Sequence, residues 1–470
     1  MRRLRKLYRP RNIGSGHSIN RRLFGGACVA SVVASATGCG GKDEDTDTTT
    51  DDGTPEVVRS EVPLRVGIIG ANFIGDSVAE SLRIAWQSIG VSDLEIQAVD
   101  GDRSTAADEA AVLELAKQCD VLLSPNLMIA DLSLTEAVDP PSGKVLDDLD
   151  KDWLPAIRST LAKYGGKAIA MPVGSPRPVQ LGPREIGGSS ASGEDDRTSQ
   201  LPQDTSPLPQ TWEEYDAFVA DTCQGKAAEP TAAGWAAWMF LLRLPRKTGQ
   251  WLFDLQTTQA LLADDEKVET LEQMKATVDR YVAGPRTPDS IWQSILAGSL
   301  RGGIGMPGTG EGDLSGAPNL ALDAIPGDAS QSMGLLDPLS PVCVITKWCR
   351  QSRLARTFAS WISGGSGSES LRNLLPAATV VRSTASGEPS DYERELVRQL
   401  TKPRTLPTFR IRRGWDYYVA LDTAIGRCLN DNADAATVLG EAAKQWDQWT
   451  ESFDADTQQR ALRRSTGLRA

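Results

Sequence analysis

The sequence predicts an α/β fold, because short apolar runs alternate with amphipathic helical segments early in the chain. Leu64–Ile69 is an apolar run typical of a buried strand, and the segment 78–89 carries apolar residues at spacings of three and four. A second apolar run, Leu94–Val99, follows. Strand and helix in alternation predict a parallel sheet with helices on both faces.

The same alternation continues along the chain. A helix is predicted around 106–117, a third strand at 120–124, and another strand at 167–172. A further helix should begin at Thr211, since Glu214 stands at the capping-box position. Two more helices are predicted at 267–282 and 435–453, and the two tryptophans of the last one should be core residues.

One segment breaks this order. Residues 182–209 are dominated by Gly, Ser, Pro, Asp and Gln. Such a composition predicts a long exposed insertion or a disordered loop.

The N-terminus has the pattern of an export signal. A basic stretch precedes the apolar run 23–36, which ends in small residues before Cys39. The run is shorter than the ~20 residues that cross a bilayer, so residues 1–38 are predicted to be cleaved. The small residues before Cys39 resemble the lipobox of bacterial lipoproteins, which implies lipidation of Cys39 and an extracytoplasmic, membrane-anchored protein. An ordinary signal peptide with Cys39 incidental is the alternative, and Arg21-Arg22 leaves the export route open.

After Cys39 the chain is polar and acidic. The segment 39–62 holds few large apolar residues, so it is predicted to be a disordered tether. Eight of the 50 basic residues and none of the 62 acidic residues lie in 1–38, so the remaining chain has 42 basic and 62 acidic residues, a formal net charge of −20. A body of this charge repels nucleic acid and anionic lipid, which argues against either as a partner.

The chain contains one histidine, His17, and it lies in the predicted signal. Without it, Ser-His-Asp and Cys-His catalysis and most zinc sites are excluded. Five cysteines follow Cys39 without CxxC spacing and are interpreted as buried free thiols, although Cys343 and Cys349 could pair. About 400 residues predict two domains, each with its own core.

The first strand also suggests a dinucleotide site. Residues 66–75 followed by Asp100 have the order strand, glycine turn, helix, strand and acidic residue of an NAD(P)-dependent oxidoreductase. However, Asn72 replaces the central glycine, and its side chain would hinder close approach of a pyrophosphate. This oxidoreductase is the alternative hypothesis.

Several separated segments together resemble one known family. They are Asp120 to Asn126, Gly165 to Pro172, Leu208-Pro-Gln-Thr-Trp-Glu-Glu-Tyr215, Leu252-Phe-Asp254, Ile291 to Gly298 with Gly303-Ile-Gly-Met306, Val342 to Lys347 with Leu354 to Trp361, and Gly414-Trp-Asp-Tyr-Tyr418. In this order they resemble the extracellular solute-binding proteins of ABC importers, family 1, the maltose-binding-protein-like group. Each motif is weak, but their order covers nearly the whole chain after the signal.

This resemblance implies a type II periplasmic-binding-protein fold, in which two lobes, each a sheet flanked by helices, enclose a ligand cleft at the hinge. Lobe I would comprise 63–172 and 305–363, and lobe II would comprise 173–304 and 364–470. Ligand would favour the closed form that an ABC permease recognises. The resemblance implies binding of a small solute by a monomer; the candidate tryptophans favour a carbohydrate, although the same fold class binds polyamines, phosphate and metal chelates. The sequence contains no metal cage, Schiff-base lysine context or phosphate loop, so no cofactor, no metal and no enzymatic activity are predicted.

Candidate ligand-binding residues come from two arguments. Ligands of parallel sheets meet the loops at the carboxyl ends of strands, and the crossing between lobes joins these loops. That selects Asn72, Phe73, Ser124, Asn126, Ser175 and Arg177. Resemblance to the family selects Glu229, Trp235, Trp238, Trp415 and Tyr417, of which the aromatic residues could stack on a sugar ring.

Each candidate has a structural alternative. Phe73, Trp238 and Trp415 could be core residues. Asn72 could cap a helix, Ser124 or Asn126 could form a turn, and Arg177 could be a solvated charge.

The sequence departs from the family at two places in lobe II. Pro176-Arg-Pro-Val-Gln180 replaces a tyrosine and asparagine after the first crossing, and Arg246-Lys-Thr-Gly249 replaces paired glycines. Both lie near the expected cleft, so the ligand could differ from a simple sugar. A third hypothesis follows, a surface scaffold or the ligand-binding component of a sensor.

Overall fold

In the computed structural model two β-sheets and the helices around them form the unit Val57–Ala470. Its described residues are 60–70, 76–141, 151–184, 208–246, 251–282, 284–308, 312–331, 333–364, 367, 370–371, 381–382, 388–402, 404–406, 408–453 and 455–467. The predicted signal, Cys39, nearly all of the tether, Asn72, Phe73 and residues 185–207 of the predicted insertion lie outside them.

A five-stranded sheet forms the first half of this unit. Its strand order is β2-β1-β3-β12-β6, with β1 at Leu64–Ile69, β2 at Leu94–Val99, β3 at Val121–Pro125, β6 at Met171–Pro172 and β12 at Pro341–Ile345. The predicted parallel pairing is correct for β1, β2 and β3. It is wrong for the whole sheet, because β12 runs antiparallel to both β3 and β6.

Among the described residues, four helices cover this sheet, and the first two of them are the helices predicted at 78–89 and around 106–117. Helix α1 is Asp76–Ser88, α2 is Glu109–Gln118, α3 is Ile129–Leu134 and α8 is Ser352–Ile362. Trp86 of α1 packs edge-on against Phe358 and Trp361 of α8, with ring centroids 5.2 and 5.1 Å apart. Such aromatic contacts add to area burial in holding α1 and α8 together.

A four-stranded sheet forms the second half, in the order β10-β7-β9-β8. Its strands are β7 at Val179–Pro183, β8 at Ala227–Ala228, β9 at Gly302–Gly305 and β10 at Leu320–Ala324. Strand β7 is antiparallel to both β9 and β10, and β8 is parallel to β9. Gly303 allows β8 to approach closely, since a Cβ there would lie 2.3 Å from the Ala228 carbonyl oxygen.

This second sheet corrects two boundaries predicted from the sequence. Gly182 belongs to β7 and Leu208 is buried, so the predicted insertion 182–209 is too wide at both ends. Residues 320–324, predicted in lobe I, pair with β7. The chain therefore returns to the first sheet through 325–340, after β10, and not at 305. We call 173–178 and 325–340 the crossing segments.

The predicted strand at 167–172 is broken. Its first part, β5 at Lys167–Ala168, forms a hairpin with β4 at Lys163–Tyr164, and its second part is β6. The hairpin turn needs Gly165 and Gly166, whose φ angles are 58° and 75°. A tight turn and a change of sheet are not visible in an apolar run.

The remaining helices lie largely around the second sheet. They are α4 at Trp212–Ala217, α5 at Ala236–Arg243, α6 at Asp265–Val278, α7 at Pro288–Leu296, α9 at Asp391–Leu400, α10 at Gly414–Asn430, α11 at Ala435–Ser452 and α12 at Ala455–Ser465. The capping box at α4 is confirmed: Thr211 Oγ1 accepts from the Glu214 amide at 3.2 Å, and Glu214 Oε2 accepts from the Thr211 amide at 3.1 Å. A short strand within the second crossing segment, β11 at Gly334–Leu335, pairs with β13 at Thr405–Leu406.

The C-terminal helices are joined by aromatic contacts. Tyr417 of α10 lies 5.5 Å from Trp446 of α11, whose indole donates to the Tyr417 carbonyl at 3.1 Å. Trp446 is a core residue as predicted, whereas Trp449 is only half-buried. The five cysteines after Cys39 are free thiols, so Cys343 and Cys349 do not pair.

Candidate functional site

The crossing segments meet the end of β3. Ser175 and Ser340, one on each crossing segment, are joined by their hydroxyls at 2.9 Å, and the Asn126 amide donates to the Ser340 carbonyl at 2.9 Å. Ser124 and Asn126 are buried here, and Asn126 Oδ1 has no hydrogen-bond partner among the described residues. The structure thus brings together three of the residues selected from strand ends and the crossing: Ser124, Asn126 and Ser175.

One arginine spans the space between the two sheets. Arg103 follows β2 and forms a bidentate ion pair with Asp337, at 2.8 and 2.9 Å. Its Nε donates to the Gly234 carbonyl at 3.0 Å, and its guanidinium lies 3.7 Å from the Trp235 ring centroid. Tyr418 completes the group by donating to the same Gly234 carbonyl at 2.7 Å. We call these five residues the Arg103 clamp.

Charge is balanced in the Arg103 clamp. Burial lowers the pKa of Arg103, but the charges of Asp337 and the hydrogen bonds to it outweigh that effect, so the net pKa is raised. Asp337 also accepts from the Leu339 amide at 3.0 Å. A buried pair with its hydrogen bonds satisfied fixes geometry, and removing one partner leaves the other charge buried.

A second charged group lies on the crossing segments and is not balanced. Asp328 Oδ1 accepts from Arg177 Nη2 at 2.9 Å and from Arg246 Nη1 at 2.6 Å, and Lys402 Nζ lies 3.1 Å from Asp328 Oδ2. We call these four residues the Asp328 cluster. Arg177 comes from the first crossing segment and Asp328 from the second, so their ion pair ties the two segments together.

The cations of the Asp328 cluster compete for one carboxylate. Burial raises the pKa of Asp328, but Arg177, Arg246 and Lys402 outweigh it and hold the pKa well below its usual value. Burial, together with the nearby charge of Arg177, lowers the pKa of Arg246 to about 10 despite the opposing effect of Asp328. Burial likewise lowers the pKa of Lys402. These directions are those of a carboxylate with more positive charge around it than it neutralises.

Four candidates selected by resemblance contact other residues of the second half of the molecule or Asp102, the residue before Arg103. Trp238 is fully buried in α5, and Glu229 accepts from Arg243 Nη2 with both carboxylate oxygens, at 2.7 and 2.8 Å. Trp415 is buried, and its indole donates to the Asp102 carbonyl at 3.1 Å. Tyr417 is buried, and its hydroxyl lies 3.0 Å from Thr450 Oγ1. The alternative that Trp238 and Trp415 are core residues agrees with their burial, and all four residues stay predictions as ligand contacts.

Two candidates lie directly in the charged groups. Trp235 belongs to the Arg103 clamp and is half-buried, and Arg177 belongs to the Asp328 cluster. The alternative that Arg177 is a solvated charge is wrong, because its side chain is 1% exposed. Its backbone is also held, since Tyr392 Oη accepts from the Arg177 amide at 3.2 Å and donates to its carbonyl at 3.0 Å.

The sequence argument missed Arg103, Asp337, Asp328, Arg246 and Lys402. The rule that selected Ser124 would also have selected Arg103, because Arg103 follows the carboxyl end of β2. No local signal marks Asp328 or Lys402, whose partners lie 74 to 151 residues away in the chain.

An open groove of about 600 Å³ lies elsewhere. It is lined by residues of β10 and α9 and their neighbours, including Arg184, Asp391 and Arg398. None of its lining residues belongs to a crossing segment. Among the described residues there is no group of three or more His, Cys, Asp or Glu side chains arranged to hold a metal ion.

No helix in the described part of the chain has the length and apolar character needed to cross a bilayer.

The fold has two α/β halves joined by crossing segments, and this arrangement is shared with solved structures. The chain is similar to the GacH receptor of Streptomyces glaucescens GLA.O, solved unliganded and with acarbose: 13% identity, 84% of this chain, 100% of that chain and a TM-score of 0.56. It is similar to the sugar-binding protein MalE of Xanthomonas citri, with 14% identity, 84% and 100% of the chains and a TM-score of 0.58. It is also similar to an ABC transporter solute-binding protein of Agrobacterium radiobacter K84 in complex with ribitol, with 15% identity, 83% and 100% of the chains and a TM-score of 0.58.

No protein-family model and no curated protein matches the sequence. At these identities the structural likeness establishes the fold, which is the two-lobed fold predicted from the sequence.

Proposed function

We propose that this protein is an extracytoplasmic solute-binding lipoprotein, which captures a small solute between its two lobes and delivers it to an ABC permease. The observation that carries the proposal is the fold match over the full length of sugar-binding and polyol-binding proteins, combined with charged and aromatic side chains that converge at the crossing segments. Anchoring through Cys39, a monomeric state and the absence of catalysis are parts of the same proposal.

A carbohydrate or polyol is the proposed class of solute. Structures similar to this chain contain acarbose, maltose, ribitol or laminaribiose. Trp235 provides a flat aromatic face near the crossing segments, and such a face suits the apolar side of a sugar ring.

Arg103 now covers that face. Its guanidinium lies 3.7 Å from the Trp235 ring centroid, a cation–π contact, so a sugar ring that stacks on the same face has to displace it. We therefore propose that the lobes open by separating Arg103 from Gly234 and Trp235, and that solute takes the position of the guanidinium on the ring. Opening and closing of two lobes about crossing segments is a known mode of domain motion.

Thermal unfolding of the full chain against a solute panel tests this function. The panel contains maltose, acarbose, laminaribiose, ribitol, glucuronate and spermidine, with NAD and NADP included for the oxidoreductase hypothesis. A ligand that binds only the folded state raises the midpoint, with a stabilisation of about 2.7 kcal/mol at about 100 times its dissociation constant. We expect a shift with a sugar or polyol. A shift with NAD or NADP alone would contradict the proposal, and no shift with any compound would favour a scaffold.

Two tryptophan variants then locate the solute. Trp235→Ala should abolish the shift. Trp348→Ala is the matched control, because Trp348 is also half-buried and also lies beside a cation, with Lys347 Nζ 4.9 Å from its ring centroid. Loss of the shift in both variants, or in neither, would show that Trp235 does not hold the solute.

A further inference from the structure

Three cations share one carboxylate in the Asp328 cluster, which leaves a formal excess of two positive charges at the crossing segments. Arg177 and Arg246 have side chains that are 1% and 0% exposed. The other arginines that form buried pairs among the described residues each have their own acid: Arg65 with Asp120, Arg103 with Asp337 and Arg243 with Glu229. Arg410 is also buried without an acid among the described residues, but it donates to the Thr160 and Lys163 carbonyls, so three cations on one carboxylate are particular to this cluster among the described residues.

Hydrogen bonding is also incomplete in the Asp328 cluster. Arg177 Nε and Nη1 and Arg246 Nε and Nη2 have no acceptor among the described residues, although all four atoms are buried. Both guanidiniums reach the same oxygen, Asp328 Oδ1, through one nitrogen each. A buried N–H donor of a charged group lowers the stability of the fold when it has no acceptor. Negatively charged oxygen atoms placed beside these four nitrogens would accept their hydrogen bonds.

The two arginines come from the two places where the sequence departs from the family that it resembles. Arg177 lies in 176–180, and Arg246 opens 246–249. Lys402 extends the cluster toward solvent, since its side chain is 20% exposed.

We propose that the Asp328 cluster is a binding site for an oxyanion, the carboxylate or phosphate group of a small ligand, held between the Arg177 and Arg246 guanidiniums with the Lys402 ammonium beside them. Forked guanidinium donors match the geometry of carboxylate and phosphate oxygens. The inference rests on the proposed function and deepens it, because a solute bound at the crossing segments would then be an acidic carbohydrate. The same chemistry would hold a free inorganic anion, which the test distinguishes.

Calorimetric titration of the full chain, in a buffer free of phosphate and sulfate, tests the site. The probes are glucuronate, glucose as its neutral counterpart, and inorganic phosphate. We expect glucuronate to bind at least ten times more tightly than glucose. Phosphate binding as tight as that of glucuronate would identify an inorganic anion site, and glucuronate binding alone would identify an acidic solute; either result supports an oxyanion site. No binding of glucuronate or phosphate would overturn it.

Three variants assign the binding to the cluster. Arg246→Met and Lys402→Met should each weaken oxyanion binding at least tenfold, and Lys402, which is partly exposed, keeps the test valid if Arg246→Met fails to fold. Arg398→Met is the control, because Arg398 is paired with Asp323 and Glu395 and lines the separate groove. Unchanged oxyanion affinity in Lys402→Met, or equal loss in Arg398→Met, would overturn the assignment. If the protein binds neutral sugars without preferring glucuronate, and does not bind phosphate, the oxyanion site is overturned and the proposed function stands. If it binds phosphate but no sugar, the oxyanion site stands and the proposed function is overturned.

Discussion

The Arg103 clamp and the Asp328 cluster are both buried charged groups near the crossing segments, but their balance differs. In the clamp one guanidinium meets one carboxylate, a backbone carbonyl and an aromatic face. In the cluster three cations meet one carboxylate and the backbone carbonyls of Met333 and Asp328, and four guanidinium nitrogens have no acceptor among the described residues. The difference teaches that buried charge alone does not mark a site. A balanced ion pair holds the structure in place, whereas a group with excess positive charge and unpaired N–H donors can still bind an anion.

The largest effect should follow loss of the only acid in the cluster. Asp328→Asn leaves three cations without a carboxylate, so we expect a loss of about 5 kcal/mol in the free energy of unfolding, measured with urea. Phosphate should restore part of the lost stability, because it supplies the missing negative oxygens. A loss below about 1 kcal/mol would mean that the cations are solvated and that the two groups do not differ as described.

Removing one arginine from each group should lower the free energy of unfolding by different amounts. Arg103→Met leaves Asp337 buried without its cation and should cost about 3 kcal/mol, whereas Arg246→Met leaves Asp328 with two cations and should cost less than about 1 kcal/mol. Urea unfolding of both variants checks the contrast. Equal losses would show that the cluster needs all three cations, and the imbalance would then be structural.

A glycine variant tests how closely Gly234 packs against Arg103 in the Arg103 clamp. Gly234 has a φ of 85°, and a Cβ there would lie 2.4 Å from Arg103 Cβ. Gly234→Ala should therefore cost about 2 kcal/mol in the free energy of unfolding, from backbone strain and from displacement of Arg103. Gly440→Ala is the control: Gly440 lies inside α11, and a Cβ added there would meet no neighbouring atom within 4 Å, so the change should stabilise by about 0.5–1 kcal/mol. If Gly234→Ala did not lower the free energy of unfolding, the contact between Gly234 and Arg103 would be loosely packed.

Asp131 is a third kind of buried charged group, an acid that has no ion pair among the described residues and that a proton can neutralise. Burial raises the pKa of Asp131 to about 8, against the lowering effect of a hydrogen bond from the Arg413 amide. The folded state then binds a proton that the unfolded state releases near pH 4, so stability is present at low pH and is lost as the pH rises toward 8. Between pH 6 and pH 7 the wild type should lose about 1 kcal/mol relative to Asp131→Asn. Parallel pH profiles of the two proteins would show that Asp131 is already ionised.

Local patterns predicted the local elements well. The spacing of apolar residues located β1, β2 and α1, and Thr211 with Glu214 located the start of α4. Strand pairing between distant segments could not be predicted from local patterns. Strand β10 pairs with β7 across more than 130 residues, and the run at 167–172 divides between two sheets. The charged groups were missed for the same reason, since Arg103 and Asp337 are 234 positions apart and only the fold brings them together.

The central claim is that solute binds between the two sheets at the crossing segments. A crystal structure of the full chain with the panel compound that raises the unfolding midpoint most tests it directly. We expect the compound between the crossing segments, in contact with Arg177 or on the ring of Trp235, with the Arg103 guanidinium displaced. The compound in the groove lined by Arg184 and Arg398, with the Arg103 clamp unchanged, would contradict the claim.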